Sequence, residues 1–156
     1  MAFKTLMGAL VALPLAATAL ADPGHSHGDV RAYGEPGNPK KTSRTVQVVM
    51  READGKMEFV PSKIEIRRGE QIKFVLKNDG ALDHELVIGT LEENLKHAIE
   101  MQKNPDMEHD DPNAKRLAPG KGGAIVWRFT KKGEFDFSCL IPGHREAGMS
   151  GTIVVK

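Results

Sequence analysis

From Thr45 onward the chain alternates apolar and polar side chains with a period of two. Val46, Val48 and Met50 are interleaved with Thr45, Gln47 and Val49, and Ile64 and Ile66 with charged neighbours over residues 63–67. Ile72, Phe74 and Leu76 then alternate with Gln71, Lys73 and Val75. A shorter apolar run, 84–88, follows the turn signal Asn78-Asp79-Gly80, and three more strand-like runs occupy 124–130, 134–139 and 151–156. Glycine or proline punctuates nearly every gap. Short alternating runs at this spacing predict an all-β antiparallel sandwich or barrel. One segment has a different period: over 91–103, Leu91, Leu95, Ala98 and Gln102 share a helical face with Ile99 at its edge, while Glu92, Glu93, Lys96 and Glu100 are polar. This predicts an inserted amphipathic helix of about three turns, ended by Asn104-Pro105. Residues 104–122 read as loop, and Gly120-Lys121-Gly122-Gly123 as a turn, since it lacks the strand-to-helix setting of a phosphate-binding loop.

Ahead of the alternating region lie two segments of different composition. Residues 1–21 carry one cation, Lys4, then an apolar run ending in Ala19-Leu20-Ala21 before Asp22. This is the pattern of a cleaved secretory signal peptide, with no stop-transfer segment after it. Export to the periplasm is therefore expected, without membrane insertion after cleavage. Residues 22–44 are rich in Gly, Pro, His and charge and predict a flexible arm; the folded domain is expected over 45–156. Removing 1–21 takes away one lysine and no acid, so the 22 basic and 21 acidic residues of the chain become balanced. That balance argues against a nucleic-acid binder.

The chain has a single cysteine, Cys139. Exported proteins often pair their cysteines, so this one is a free thiol, an intermolecular bridge or a metal ligand. Phe135, Phe137 and Cys139 fall on one side of a strand, which points the thiol towards the core. A Pro142-Gly143 loop leads to His144, and a second small loop to Met149. Four residues separate the cysteine from the histidine, and four more separate the histidine from the methionine. One loop anchored by two strands could thus present a thiolate, an imidazole and a thioether to one point. With a second imidazole this is a blue-copper ligand set, and His84, after the turn at 78–80, is the candidate. Each residue alone has an ordinary structural explanation; together they point to one copper ion held by His84, Cys139, His144 and Met149.

These residues carry a resemblance. Residues 45–156 resemble the cupredoxin superfamily of plastocyanin, azurin, pseudoazurin and rusticyanin, through the segment 78–84 and through Cys139-Leu140-Ile141-Pro142-Gly143-His144 continuing to Met149. The resemblance is closest to periplasmic cupredoxins associated with copper tolerance, which combine a His-rich arm, an Asp-His-Glu segment and a Met/His insertion; here these are His25/His27, Asp83-His84-Glu85 and residues 101–109. It implies a Greek-key cupredoxin fold, one-electron transfer between Cu(I) and Cu(II), and His144 near the surface. A transient redox partner would dock there on a rim of Pro142, Gly143, Ala147 and Gly148. The chain departs from azurin-like proteins at Glu85, where they carry an asparagine that helps lock the ligand loop.

Weaker signals suggest further copper. His97 and Met101 are neighbours one helical turn apart, and with Met107 and His109 form a candidate second copper site, whose alternative is methionine packing in the core. His25 and His27 are candidates for loose metal capture. Two functions follow: an electron carrier, or a copper-tolerance protein that binds, buffers or oxidises periplasmic copper through extra His/Met sites. Catalysis is not expected, since copper nitrite reductases and multicopper oxidases need further His-rich motifs. The protein is expected to act as a monomer.

Overall fold

The computed structural model describes residues 31–41, 43–105 and 111–156. Ten strands and one helix follow in the order β1 (Glu35–Pro36), β2 (Arg44–Ala53), β3 (Lys56–Val60), β4 (Lys63–Ile66), β5 (Gln71–Asn78), β6 (His84–Gly89), α1 (Leu91–Lys103), β7 (Ala114–Leu117), β8 (Gly122–Arg128), β9 (Gly133–Ser138) and β10 (Ser150–Val155). They form two five-stranded sheets, ordered β1-β8-β5-β2-β3 and β4-β10-β9-β6-β7. Most neighbours are antiparallel; β2 with β5 and β4 with β10 run parallel. The fold is the expected β-sandwich with one inserted helix.

The period-two patterns place the core between the sheets. Ile72, Phe74 and Leu76 of β5 point inward with Val48 and Met50 of β2 and Ile125 and Trp127 of β8. From the other sheet come Ile64, Leu86, Ile88, Phe135, Phe137 and Ile153. Strand β6 is buried at every position, on both faces. The reason is α1, which covers the outer face of β6 and β9 and makes a smaller core of Met101 with Val87 and Leu140. Between β2 and β3, Asp54 and Gly55 both have positive φ, 51° and 75°, the backbone of a tight two-residue hairpin.

The helix spans the expected residues but buries a different face. Leu91, Leu95 and Ile99 are about half exposed, at 53%, 46% and 53%, and Gln102 is exposed. Asn94 and Met101 are buried instead. The Asn94 amide donates to the Val87 carbonyl at 3.2 Å and to Asp136 Oδ2 at 2.7 Å, and these two bonds set the rotation of the helix. At its start, Thr90 Oγ1 accepts from the Glu93 N–H while the Glu93 carboxylate accepts from the Thr90 N–H, a reciprocal cap.

Two further expectations differ. Residues 31–41 are not a free arm: β1 pairs with β8, and Tyr33 is buried, stacked on Trp127 at 5.4 Å. The Trp127 indole N–H donates to the Tyr33 carbonyl at 3.0 Å. Of the arm expected over 22–44, residues 31–41 therefore belong to the folded unit; residues 1–30, with His25 and His27, lie outside the described residues. Within the expected loop 104–122, residues 114–117 form β7 along β6. Its Lys115 and Arg116 face water, which hides the strand from an alternation test.

Candidate metal centre

Three segments meet at one end of the sandwich. Strand β9 ends at Ser138 and delivers Cys139; the loop 140–149 carries His144 and Met149 back to β10; and β6 opens with His84. The loop is closed by its own backbone. The N–H groups of His144, Ala147, Gly148 and Met149 donate to the carbonyls of Ile141, Gly143, Arg145 and His144, and the Cys139 N–H donates to the Met149 carbonyl at 3.1 Å. Gly143 and Gly148 sit at φ of 86° and 109°, a region that side-chain-bearing residues rarely adopt.

His84 and Cys139 are fully buried, as is Met149, while His144 keeps 9% exposure. The His84 and His144 Nδ1 atoms lie 3.2 Å apart, and Cys139 Sγ is 3.3 Å from His144 Nδ1. Among the described residues, His84, Cys139 and His144 form the one group of three His, Cys or acidic side chains whose ligand atoms are gathered within 4.8 Å. Two imidazoles and a thiol brought to one point suit copper or zinc. Met149 is buried, and its backbone is bonded to both Cys139 and His144; a thioether ligand there would favour copper over zinc.

Burial pushes the Cys139 thiol up to about 12, against the lowering effect of the Glu85 N–H. That N–H points at Sγ from 3.4 Å. Burial, and then the neighbouring His84, lower His144 below its ordinary value. Without metal the pocket therefore favours a neutral thiol and a neutral His144, and a metal ion must displace the thiol proton.

Of the residues behind these four, the sequence singled out Glu85 alone, as the departure from azurin-like proteins. Glu85 is buried, and its Oε1 accepts the Leu140 N–H at 3.0 Å. It thus clamps the residue after Cys139. Asn78 is fully buried; its amide donates to the carbonyls of Leu82 and Leu117, both at 2.8 Å, and its Oδ1 accepts the Gly80 N–H. Asn78 thereby shapes the approach to His84. Asp136 accepts two bonds from the Arg145 guanidinium, at 2.9 and 3.0 Å, and one each from Ser138 and Asn94. It ties the residue after His144 to β9 and to α1. Glu52 reaches His84 Nε2 at 2.9 Å. The sequence signal for Glu85 was its place directly after His84, where azurin-like proteins carry asparagine; Glu52 left none, being 32 residues from its partner.

Of the four residues of the candidate second copper site, the structure describes His97 and Met101. Met101 is 1% exposed and packs on Val87 and Leu140. His97 is half-buried on the same helix. Met107 and His109 lie outside the described residues.

Comparison with known proteins agrees with this geometry. Residues 46–156 match the model of the copper-binding proteins of the plastocyanin/azurin family. A copper-resistant cuproprotein CopI from Rubrivivax gelatinosus is 49% identical over 156 aligned positions, covering 94% of this chain and 93% of the relative. The Pseudomonas aeruginosa protein of the same name is 34% identical, covering 98% and 97%. Among solved structures, auracyanin from Roseiflexus castenholzii superposes with a TM-score of 0.61 at 24% identity, over 74% of this chain and 99% of auracyanin. An azurin from Methylomonas sp. strain J gives 0.58 at 14% identity, over 74% and 99%.

Proposed function

The chain belongs to the plastocyanin/azurin family of copper-binding proteins, and we propose that it holds one copper ion through His84, Cys139, His144 and Met149 in the service of copper tolerance in the periplasm. The observation that carries the reading is the convergence of two Nδ1 atoms and one Sγ in a buried pocket. The donor chemistry fits copper: soft sulfur favours Cu(I), and imidazole suits both oxidation states. Copper bound there would supply reversible one-electron chemistry. The protein's part is to hold the donors. Cys139 gives up its thiol proton on binding; His84 and His144 present their Nδ1 atoms; the clamp from Glu85 and the backbone bonds of the loop keep the four donors in place whichever oxidation state is bound.

Copper tolerance is preferred over electron transfer because two relatives that span nearly the whole chain are named copper-resistant. Export is read from residues 1–21; among the described residues no helix is long and apolar enough to cross a membrane. We assign no catalytic reaction to the chain. The second reading is a one-electron carrier. Pro142, Gly143 and Gly148 are exposed, and Ala147 half-exposed, around the single ligand that touches solvent, a rim suited to a small transient interface.

The test is a copper titration of the mature protein, with visible absorption and paramagnetic resonance, beside Cys139→Ala. One copper with an intense thiolate-to-copper band that vanishes in the variant is expected; absence of that band in the parent protein would refute the centre. A deletion strain that grows normally in copper but loses a respiratory electron-transfer step would turn the assignment to the second reading.

A further inference from the structure

Glu52 stands near the end of β2, before the Asp54-Gly55 turn, and its carboxylate is the meeting point of three donors. Oε2 accepts the Ala81 N–H at 2.8 Å, Oε1 accepts the Leu82 N–H at 3.2 Å, and Oε1 lies 2.9 Å from His84 Nε2. Gly80 lies directly over it: a Cβ at that position would run into Oε2. The side chain is 29% exposed, whereas that of His84 is fully buried. The Ala81 and Leu82 N–H groups donate to it as to a carboxylate, the ordinary form of glutamate at neutral pH.

The two nitrogens of His84 therefore face different groups. Nε2 faces a carboxylate, which can only accept a proton bond. Nδ1 faces His144 and Cys139. A neutral imidazole carries one proton, on one nitrogen, and the carboxylate draws it to Nε2, leaving Nδ1 a bare lone pair aimed into the pocket. A carboxylate behind a ligating histidine also orients the ring, and its charge, set against a buried site, favours the more positive metal state.

We propose that Glu52 is the positioning residue of this centre: it fixes His84 with its proton on Nε2 and Nδ1 free to ligate, and its charge favours Cu(II) over Cu(I). This rests on the copper centre proposed above. A carboxylate that served only to latch residues 81 and 82 would do neither.

The test uses Glu52→Gln, which keeps an oxygen for His84 but removes the charge, and Glu52→Ala, which removes both. The first readout needs no copper: the nitrogen NMR shifts of the His84 ring in the metal-free protein at neutral pH. The parent should show one form, protonated at Nε2, and Glu52→Ala should populate the Nδ1-protonated form; an unchanged ring in Glu52→Ala overturns the proposal. The second readout is affinity for each copper state. Both variants should bind Cu(II) about 10–100-fold more weakly. Cu(I) should lose at least about tenfold less, which raises the reduction potential by about 59 mV for each tenfold difference. Equal losses for both states, with the potential unchanged in Glu52→Gln, also overturn it. A parent protein that binds no copper would instead refute the copper centre, while parental copper binding with unaltered variants refutes the role of Glu52 alone.

Discussion

Replacing Glu85 by alanine removes the acceptor of the Leu140 N–H, which lies next to Cys139 inside the fold. A hydrogen bond to a charged group contributes about 1.5–3 kcal/mol, and a buried donor left without a partner costs a similar amount. Losing the packing of the buried side-chain methylenes adds about 0.8 kcal/mol for each. Against this, the variant no longer buries a carboxylate, so the net loss should be about 2 kcal/mol. In a urea titration of the metal-free protein, with a slope of about 2 kcal/mol per molar, the midpoint should fall by about 1 M. Copper should also leave faster, by about tenfold or more, because the clamp holds the loop that carries three of the four donors. Glu85→Gln keeps an oxygen for Leu140 and should recover at least half of the stability loss. A midpoint and a copper release rate in Glu85→Ala equal to the parent's, or a Glu85→Gln variant no better than Glu85→Ala, would refute the clamp.

Tyr33→Ala should destabilise the protein by about 3–5 kcal/mol, the cost of emptying a buried aromatic site, because Tyr33 stacks on Trp127 and is 1% exposed; a urea midpoint barely moved would show that residues 31–41 are dispensable. Asp136→Ala leaves the Arg145 guanidinium and the Asn94 amide without their shared acceptor and should cost about 3–5 kcal/mol. A double-mutant cycle with Arg145→Ala should return a coupling above about 1 kcal/mol, and additivity would show the pair to be idle. The Cys139 thiol is raised from 9.0 to about 12 by burial, so between those values the unfolded chain releases a proton that the folded chain keeps. The metal-free protein should therefore hold this stability below pH 9 and lose about 1.4 kcal/mol per pH unit above it. Urea titrations at pH 8 and pH 10 should show that slope in the parent and not in Cys139→Ala; equal slopes would place its origin elsewhere.

Local pattern alone determined the sandwich and the place of the helix, because strand alternation and helical period are written into neighbouring residues. It also marked the loop from Cys139 to Met149 and the histidine that completes it, since a lone cysteine at that spacing has few other uses. Tertiary structure decided what periodicity cannot carry. The rotation of α1 follows the buried bonds of Asn94 rather than its apolar stripe. The start of the folded unit depends on Tyr33 finding Trp127, 94 residues away from the carbonyl that its indole grips. The groups that hold the ligands, Glu52, Asn78, Glu85 and Asp136, are polar residues whose partners lie up to dozens of positions away. A hydrogen bond between two distant segments depends on where the sheets bring them together, and no spacing along the chain records it.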